Sequence, residues 1–304
     1  MSDHQHTSVR AGARHLRPLV VAFFLVIVFI GVEIVAGLVT GSLALLSDAG
    51  HMATDALGLA MASAAITAAN RANTDGHRTY GLYRLEILAA LANAVLLFGI
   101  AGYVVVEAAR RFQNLPEILS EPMLLVALLG LIVNLIVNLI GWRLLRADAA
   151  ESINVEGALL EVLADLIGSI GVTVAALLIR CTGWVYADPL FGAAIGLFIL
   201  PRAWRLGRRA LRVLVQAAPE GLNPEKLLSQ LTSISGVTAI YDLHVWTLTS
   251  EMNVATVHLV TNDGTDHHPV LDQARTLLQD EYDISHATLQ VEPDTRQGCV
   301  KITW

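Results

Sequence analysis

The 304-residue chain is 54% hydrophobic and only 15% charged, with a mean hydropathy of +0.57. An average soluble domain carries about 25% charged residues, so the composition points to a membrane protein. The net charge of −7 gives no electrostatic footprint for nucleic acid. Cys181 and Cys299 lie too far apart to suggest a disulfide framework or a paired-cysteine metal site.

Residues 1–17 form a polar tail with His4, His6 and His15 among three arginines, which reads as a solvated segment. Residues 19–39 are an apolar run interrupted only by Glu33. It is too long for the apolar part of a signal peptide and lacks the flanking cleavage pattern. Residues 42–69 make a second run, and a spanning helix needs about 20 residues. Further runs cover 85–109, 122–145 and 155–179. A sixth covers 186–200, entered through Asp188-Pro189 and with Pro201 near its exit. Asn134 and Asn138 share one face of the fourth run and suit hydrogen bonding between helices.

Six spans put both chain ends on one side. The tail, loops 70–84 and 146–154, and the segment after the sixth span then hold most of the arginines, among them Arg71, Arg84, Arg202, Arg205, Arg208, Arg209 and Arg212. Arg110, Arg111 and Arg180 fall on the other side. The positive-inside rule makes the arginine-rich side cytoplasmic. The expected place is therefore the cytoplasmic membrane, crossed several times, with both termini cytoplasmic.

Beyond Gln216 the composition changes, and Pro219, Gly221 and Pro224 mark a boundary. Residues 223–234 read as a helix, with Asn223 as N-cap and Pro224 at its first position. Residues 237–248 and 253–260 are rich in strand formers, with Ser250-Glu251 as a hairpin turn. A helix over 269–281 and a strand over 287–292 follow. The order α-β-β-α-β suggests a small ferredoxin-like α+β domain. Three segments result: a tail over 1–17, a membrane all-α bundle of six transmembrane helices over 18–212, and the ferredoxin-like cytosolic domain over 213–304.

Ionisable residues inside apolar spans are costly and by default mark a pathway or binding site. His51 and Asp55 are four residues apart in the second span, and Glu161 and Asp165 are four apart in the fifth. That spacing puts each pair on one helix face, one turn apart. Facing each other, the two helices offer four ligands to one divalent cation, and three carboxylates brought together with no cation would repel. Asp48 lies one turn before His51 and either relays a cation or makes a hydrogen bond. Glu33 suits packing against polar groups of neighbouring spans.

Several stretches carry a resemblance: 42–52 (SLALLSDAGHM), 80–88 (YGLYRLEIL), 163–169 (LADLIGS), Asp188-Pro189 and 242–248 (DLHVWTL). Together they resemble the cation diffusion facilitator family over nearly the whole chain. The resemblance implies a homodimer in the lipid bilayer that exchanges cytosolic divalent metal ions, most often zinc, for protons as counter-ion. It implies transport without a resident cofactor and without catalysis, from a site on which His51, Asp55, Glu161 and Asp165 fall.

Zinc members usually place histidine where this chain has Glu161. A set of one imidazole and three carboxylates also suits harder ions, so export of manganese, iron, cobalt or cadmium stands as an alternative to zinc. The loop 146–154 has no histidine run and so no metal trap. The family also binds metal in its cytosolic domain, near positions matching His258, His286 and Glu292, with His244 a further candidate. It expects histidine one residue before Asp242, where this chain has Tyr241. Two rivals from other classes are an intramembrane metalloenzyme and a metal-sensing scaffold. The enzyme needs an open coordination position, which four ligands would fill.

Overall fold

A computed structural model of the chain describes residues 16–71, 80, 82–148, 153–249 and 252–294. The helices are α1 (Leu16–Thr40), α2 (Leu43–Arg71), α3 (Arg84–Gln113), α4 (Ser120–Asp148), α5 (Ile153–Thr182) and α6 (Ala187–Leu214). The remaining elements are α7 (Pro224–Thr232), β1 (Val237–Thr249), β2 (Met252–Thr261), α8 (His267–Tyr282) and β3 (His286–Pro293). The chain divides into two compact units. One takes residues up to Ala60 together with Ala92–Arg205, the other Met61–Leu91 together with residues from Leu206 on.

In the first unit the usual arrangement of polarity is inverted. Phe24, Val28, Val35 and Leu38 of α1 are each more than 60% exposed, while Glu33 on the same helix is buried. A surface this apolar is suited to lipid, and helices can cross lipid because their backbone groups are satisfied internally. Among the described residues, five helices are long and apolar enough to cross a membrane: α1, α3, α4, α5 and α6. The 29-residue α2 has comparable length, but Asp48, His51 and Asp55 interrupt it.

The helices approach closely where a side chain is missing or small. A Cβ on Gly130 of α4 would lie 2.7 Å from the Phe29 ring of α1. Asn134 of α4 donates a short hydrogen bond to Ser169 Oγ of α5. Thr173 Oγ1 donates to the Ala127 carbonyl across the same pair at 3.4 Å. Asn134 thus joins helices as its position suggests. The Asn138 side chain lies outside the described residues.

The start of α2 is fixed by a residue almost 150 positions away. Buried Asp188, in the first turn of α6, accepts from Ser42 Oγ at 2.6 Å, Leu43 N at 2.7 Å and Ala44 N at 3.0 Å. Arg111 Nη1 of α3 lies 3.4 Å from the same carboxylate. The first amides of a helix have no partner within it and carry partial positive charge. A buried carboxylate answers both needs. Ser42 Oγ also accepts from Leu45 N at 3.1 Å, so the cap is doubled. A Cβ on Gly192, one turn along α6, would stand 3.3 Å from Ala44 N, which lets α6 reach the α2 terminus.

In the second unit β2 lies between antiparallel β1 and parallel β3. Inward residues alternate: Ala255, Val257 and Leu259 of β2 pack with Leu227 and Leu231 of α7 and with Val270, Ala274 and Leu278 of α8. Asn223 caps α7 as its sequence predicts, accepting from Glu225 N at 2.9 Å, with Pro224 at the first position. The hairpin turn, residues 250–251, lies outside the described residues. The sixth helix extends beyond its apolar core over 186–200 and continues through Pro201 to Leu214. A single proline removes one backbone donor without ending a helix whose buried face, here Ile199, Ala203 and Ala210, carries on past it.

Replacing Asp188 by alanine leaves two helix amides, a serine hydroxyl and Arg111 without their shared acceptor. Loss of one member of a buried charged contact costs about 3 kcal/mol or more. Asp188→Ala is expected to lower the thermal midpoint of the detergent-solubilised protein by several degrees, and Asp188→Asn by less. Equal midpoints for all three proteins would show that the cap is dispensable.

Candidate metal site

His51 and Asp55 stand one turn apart on α2, and Asp165 reaches them from α5. One ligand atom from each of the three lies within 4.8 Å of the others. His51 Nε2 is 3.2 Å from Asp165 Oδ1, and His51 Nδ1 is 3.7 Å from Asp55 Oδ2. One imidazole therefore sits between two carboxylates from different helices. His51 is 5% exposed, yet its Nδ1 makes no hydrogen bond. Buried polar atoms are nearly always partnered, and an orphan ring nitrogen beside carboxylates fits a metal ligand. Glu161 belongs to α5, one turn before Asp165; its side chain lies outside the described residues.

A polar annex continues from this cluster among α1, α2, α4 and α5. Buried Asp48 accepts from Ser169 Oγ at 3.4 Å, and Ser169 in turn receives the Asn134 amide. Glu33 of α1 is buried beside Gly130 of α4, its Oε1 3.4 Å from where a Cβ on that glycine would stand. Gly168 leaves room for Asp48, since a Cβ there would be 3.1 Å from its Oδ1. Of the two readings open for Asp48, hydrogen bonding is the one this geometry realises directly.

One participant escapes sequence reasoning. Arg202 of α6 pairs with Asp55: Nη1 donates a hydrogen bond to Oδ2 at 3.2 Å, and Nη2 makes an ion-pair contact with Oδ1 at 3.2 Å. Its sequence signal, membership of an arginine run at the end of a span, points to anchoring on the cytoplasmic side. Only its place near the middle of α6, and not at its end, hints at more.

The second unit brings together some of its candidates and not others. His258 on β2 and Glu292 on β3 meet, with His258 Nδ1 3.2 Å from Glu292 Oε1. Tyr241 of β1 closes the cluster: its hydroxyl donates to Glu292 Oε2 at 2.7 Å and lies 3.0 Å from His258 Nδ1. Gln290 also donates to Glu292. These residues occupy the sheet face opposite the core. His286 pairs in register with Val254, whereas Gln290 pairs with His258. At about 3.3 Å per residue, His286 stands about 13 Å along the strand from the cluster. His244 pairs with Thr256 beyond a bulge at Asp242, whose φ is 48°. It lines a separate cavity of about 610 Å³ with Trp246 and Gln216. Trp246 is half-buried at that cavity.

The described helices and the small sheet domain match two family models. Residues 19–215 match the cation efflux transmembrane domain, and residues 219–294 match the cation efflux protein cytoplasmic domain. The chain belongs to the cation efflux family, the cation diffusion facilitators that its motifs resemble. It is a membrane cation transporter, not an enzyme. It is 44% identical to the metal cation efflux system protein CzcD of Cupriavidus metallidurans over 96% of this chain and 90% of that one. It is 38% identical to the zinc transporter ZitB of Escherichia coli, over 95% and 92%. A cadmium, cobalt and zinc/H(+)-K(+) antiporter of Bacillus velezensis is 34% identical, over 94% and 91%.

Tyr241 supplies a neutral donor where the family resemblance expects a third ligand. Tyr241→Phe removes that donor from Glu292, which is 7% exposed. A hydrogen bond to a charged group contributes about 2 kcal/mol. Amide exchange in β2 and β3 of the full chain is therefore expected to speed up by about 30-fold. An unchanged exchange pattern would mean that the hydroxyl contributes nothing.

Proposed function

We propose that this protein exports divalent metal, zinc foremost, across the cytoplasmic membrane in exchange for protons, through a site formed by His51, Asp55, Glu161 and Asp165. The observation that carries the proposal is the convergence of His51, Asp55 and Asp165 from α2 and α5 within 4.8 Å. The zinc, cobalt and cadmium in the names of the relatives support the choice of cargo. The carboxylate-rich ligand set keeps manganese and iron as alternatives.

In this reading α2 is a sixth span, because its charged residues face the cluster and not lipid. Both termini are cytoplasmic, and the protein works as a homodimer whose cytosolic parts have a ferredoxin-like fold. The divisions at residues 17 and 212 follow from the same reading. His258 and Glu292 form a secondary cytosolic metal site, with His286 and His244 as outlying candidates. Tyr241 makes that site weaker than one with a third imidazole.

The exchange follows from shared occupancy. A metal ligand must offer a lone pair, so a carboxyl or imidazole holding a proton there cannot hold metal. Metal arriving from the cytosol displaces protons from the ligands. Once the helices have rocked to open the site outward, protons reload the ligands and the metal leaves. Each cycle moves metal one way and protons the other.

Loss of groups that merely orient a ligand costs about 10- to 100-fold, so loss of a ligand should cost at least about 100-fold. Asp165→Ala, still folded, is accordingly expected to lose zinc transport in proteoliposomes by that margin. Near-normal flux would end the shared-site proposal. Vesicles with an acidic lumen are expected to take up zinc faster than vesicles without a gradient, while the lumen becomes more alkaline. Flux indifferent to the gradient would indicate a uniporter.

Glu161→His exchanges a hard oxygen donor for a softer nitrogen and removes one negative charge. The ratio of zinc to manganese transport, with both ions competing in the same vesicles, should rise even if both rates fall. A steady or lower ratio would release Glu161 from any role in metal preference.

A further inference from the structure

The contact between Arg202 and Asp55 has no place in the exchange just described. We propose that Arg202 is a built-in counter-cation of the metal site, which holds Asp55 when no metal is bound and limits how tightly a divalent ion is held. The proposal rests on the assignment of Asp55 and Asp165 as ligands.

Three observations support it. The first is geometry: Nη1 donates a charge-assisted hydrogen bond to Asp55 Oδ2 at 3.2 Å, and Nη2 stands 3.2 Å from Oδ1 as an ion-pair contact. The two side chains are only 28% and 21% exposed, so solvent screens the pair less than it would a surface pair. The second is contrast along the helix. Arg205, Arg208 and Arg209 are exposed, as anchoring residues should be, whereas Arg202 turns inward to a proposed metal ligand. The third is position. Arg202 follows Pro201, which removes one backbone donor near the middle of α6.

The physical consequence has a definite sign. Arginine stays charged at every physiological pH, so protons cannot switch this cation off. A divalent ion bound to Asp55 sits a few ångströms from this guanidinium and feels its positive charge. That repulsion weakens metal binding and assists release. If Arg202 served only to keep Asp55 in shape, removing it would disorder a ligand and weaken binding. If it is a counter-cation, removing it tightens binding.

The test is zinc titration calorimetry on the full-length protein in lipid nanodiscs, with wild type, Arg202→Gln, Arg202→Lys and Asp165→Ala. The proposal expects Arg202→Gln to lower the zinc Kd by at least about tenfold, since the opposing charge is gone. Arg202→Lys keeps the charge but not the fork and should fall between. In vesicles, zinc KM and kcat should both fall for Arg202→Gln, because a tighter site releases its ion slowly. A second neutral variant, Arg202→Met, decides the matter if the glutamine variant does not fold: a Kd at or above the wild-type value overturns the proposal. An unchanged or higher Kd for folded Arg202→Gln, with binding lost in Asp165→Ala, overturns the counter-cation and leaves the site assignment standing. Wild-type binding in Asp165→Ala overturns the site assignment itself.

Discussion

His51 Nε2 reaches 3.2 Å across from α2 to Asp165 Oδ1 on α5. An imidazole and two carboxylates in an apolar bundle cannot be left to themselves, because hydrocarbon solvates none of them. Every neighbouring polar feature answers that constraint. Arg202 pairs with Asp55, and Ser169 and Asn134 form a chain to Asp48. The apolar side chains of α1 point outward in exchange. A bundle that faces lipid with its oil and turns its charges inward is suited to the ion site proposed above.

Such a cluster works only if α2 and α5 keep their register, and the N-terminal end of α2 is set by Asp188. That carboxylate takes the place of water for the first amides of α2 and ties them to α6 and, through Arg111, to α3. The residues that bind and the residue that fixes the helix start are different, yet both rely on carboxylates placed where an uncompensated positive charge would otherwise be buried. Rocking of the helices can then proceed about a fixed end of α2.

The convergence of His51 and Asp55 was legible because period four on a helix is a property of sequence alone, and Asp165 joins them from α5. The small domain was legible for a similar reason. Alternation along β2 and β3 separates Val257 and Leu259 from His258, and Leu289 and Val291 from Glu292, so the candidates fall on the face away from the core. The partnership of Arg202 with Asp55 was not legible. Their contact spans 147 positions, and the positive-inside pattern gives an adequate reason for an arginine there. Asp188-Pro189 likewise reads as a helix entry, and nothing local says that its carboxylate caps a different helix. The sorting of cytosolic histidines depended on strand register, which puts His286 beside Val254 and His258 beside Gln290.

The central claim is that the cargo ion sits on one imidazole, that of His51, with carboxylates completing its shell. Zinc K-edge absorption of the full-length protein loaded with one equivalent of zinc reads that shell directly. The account predicts a single imidazole, remaining ligands that are oxygens at about 2.0–2.2 Å, and loss of the imidazole signal in His51→Ala. Two or more imidazoles, sulfur at about 2.3 Å, or an imidazole signal that survives in His51→Ala would contradict it.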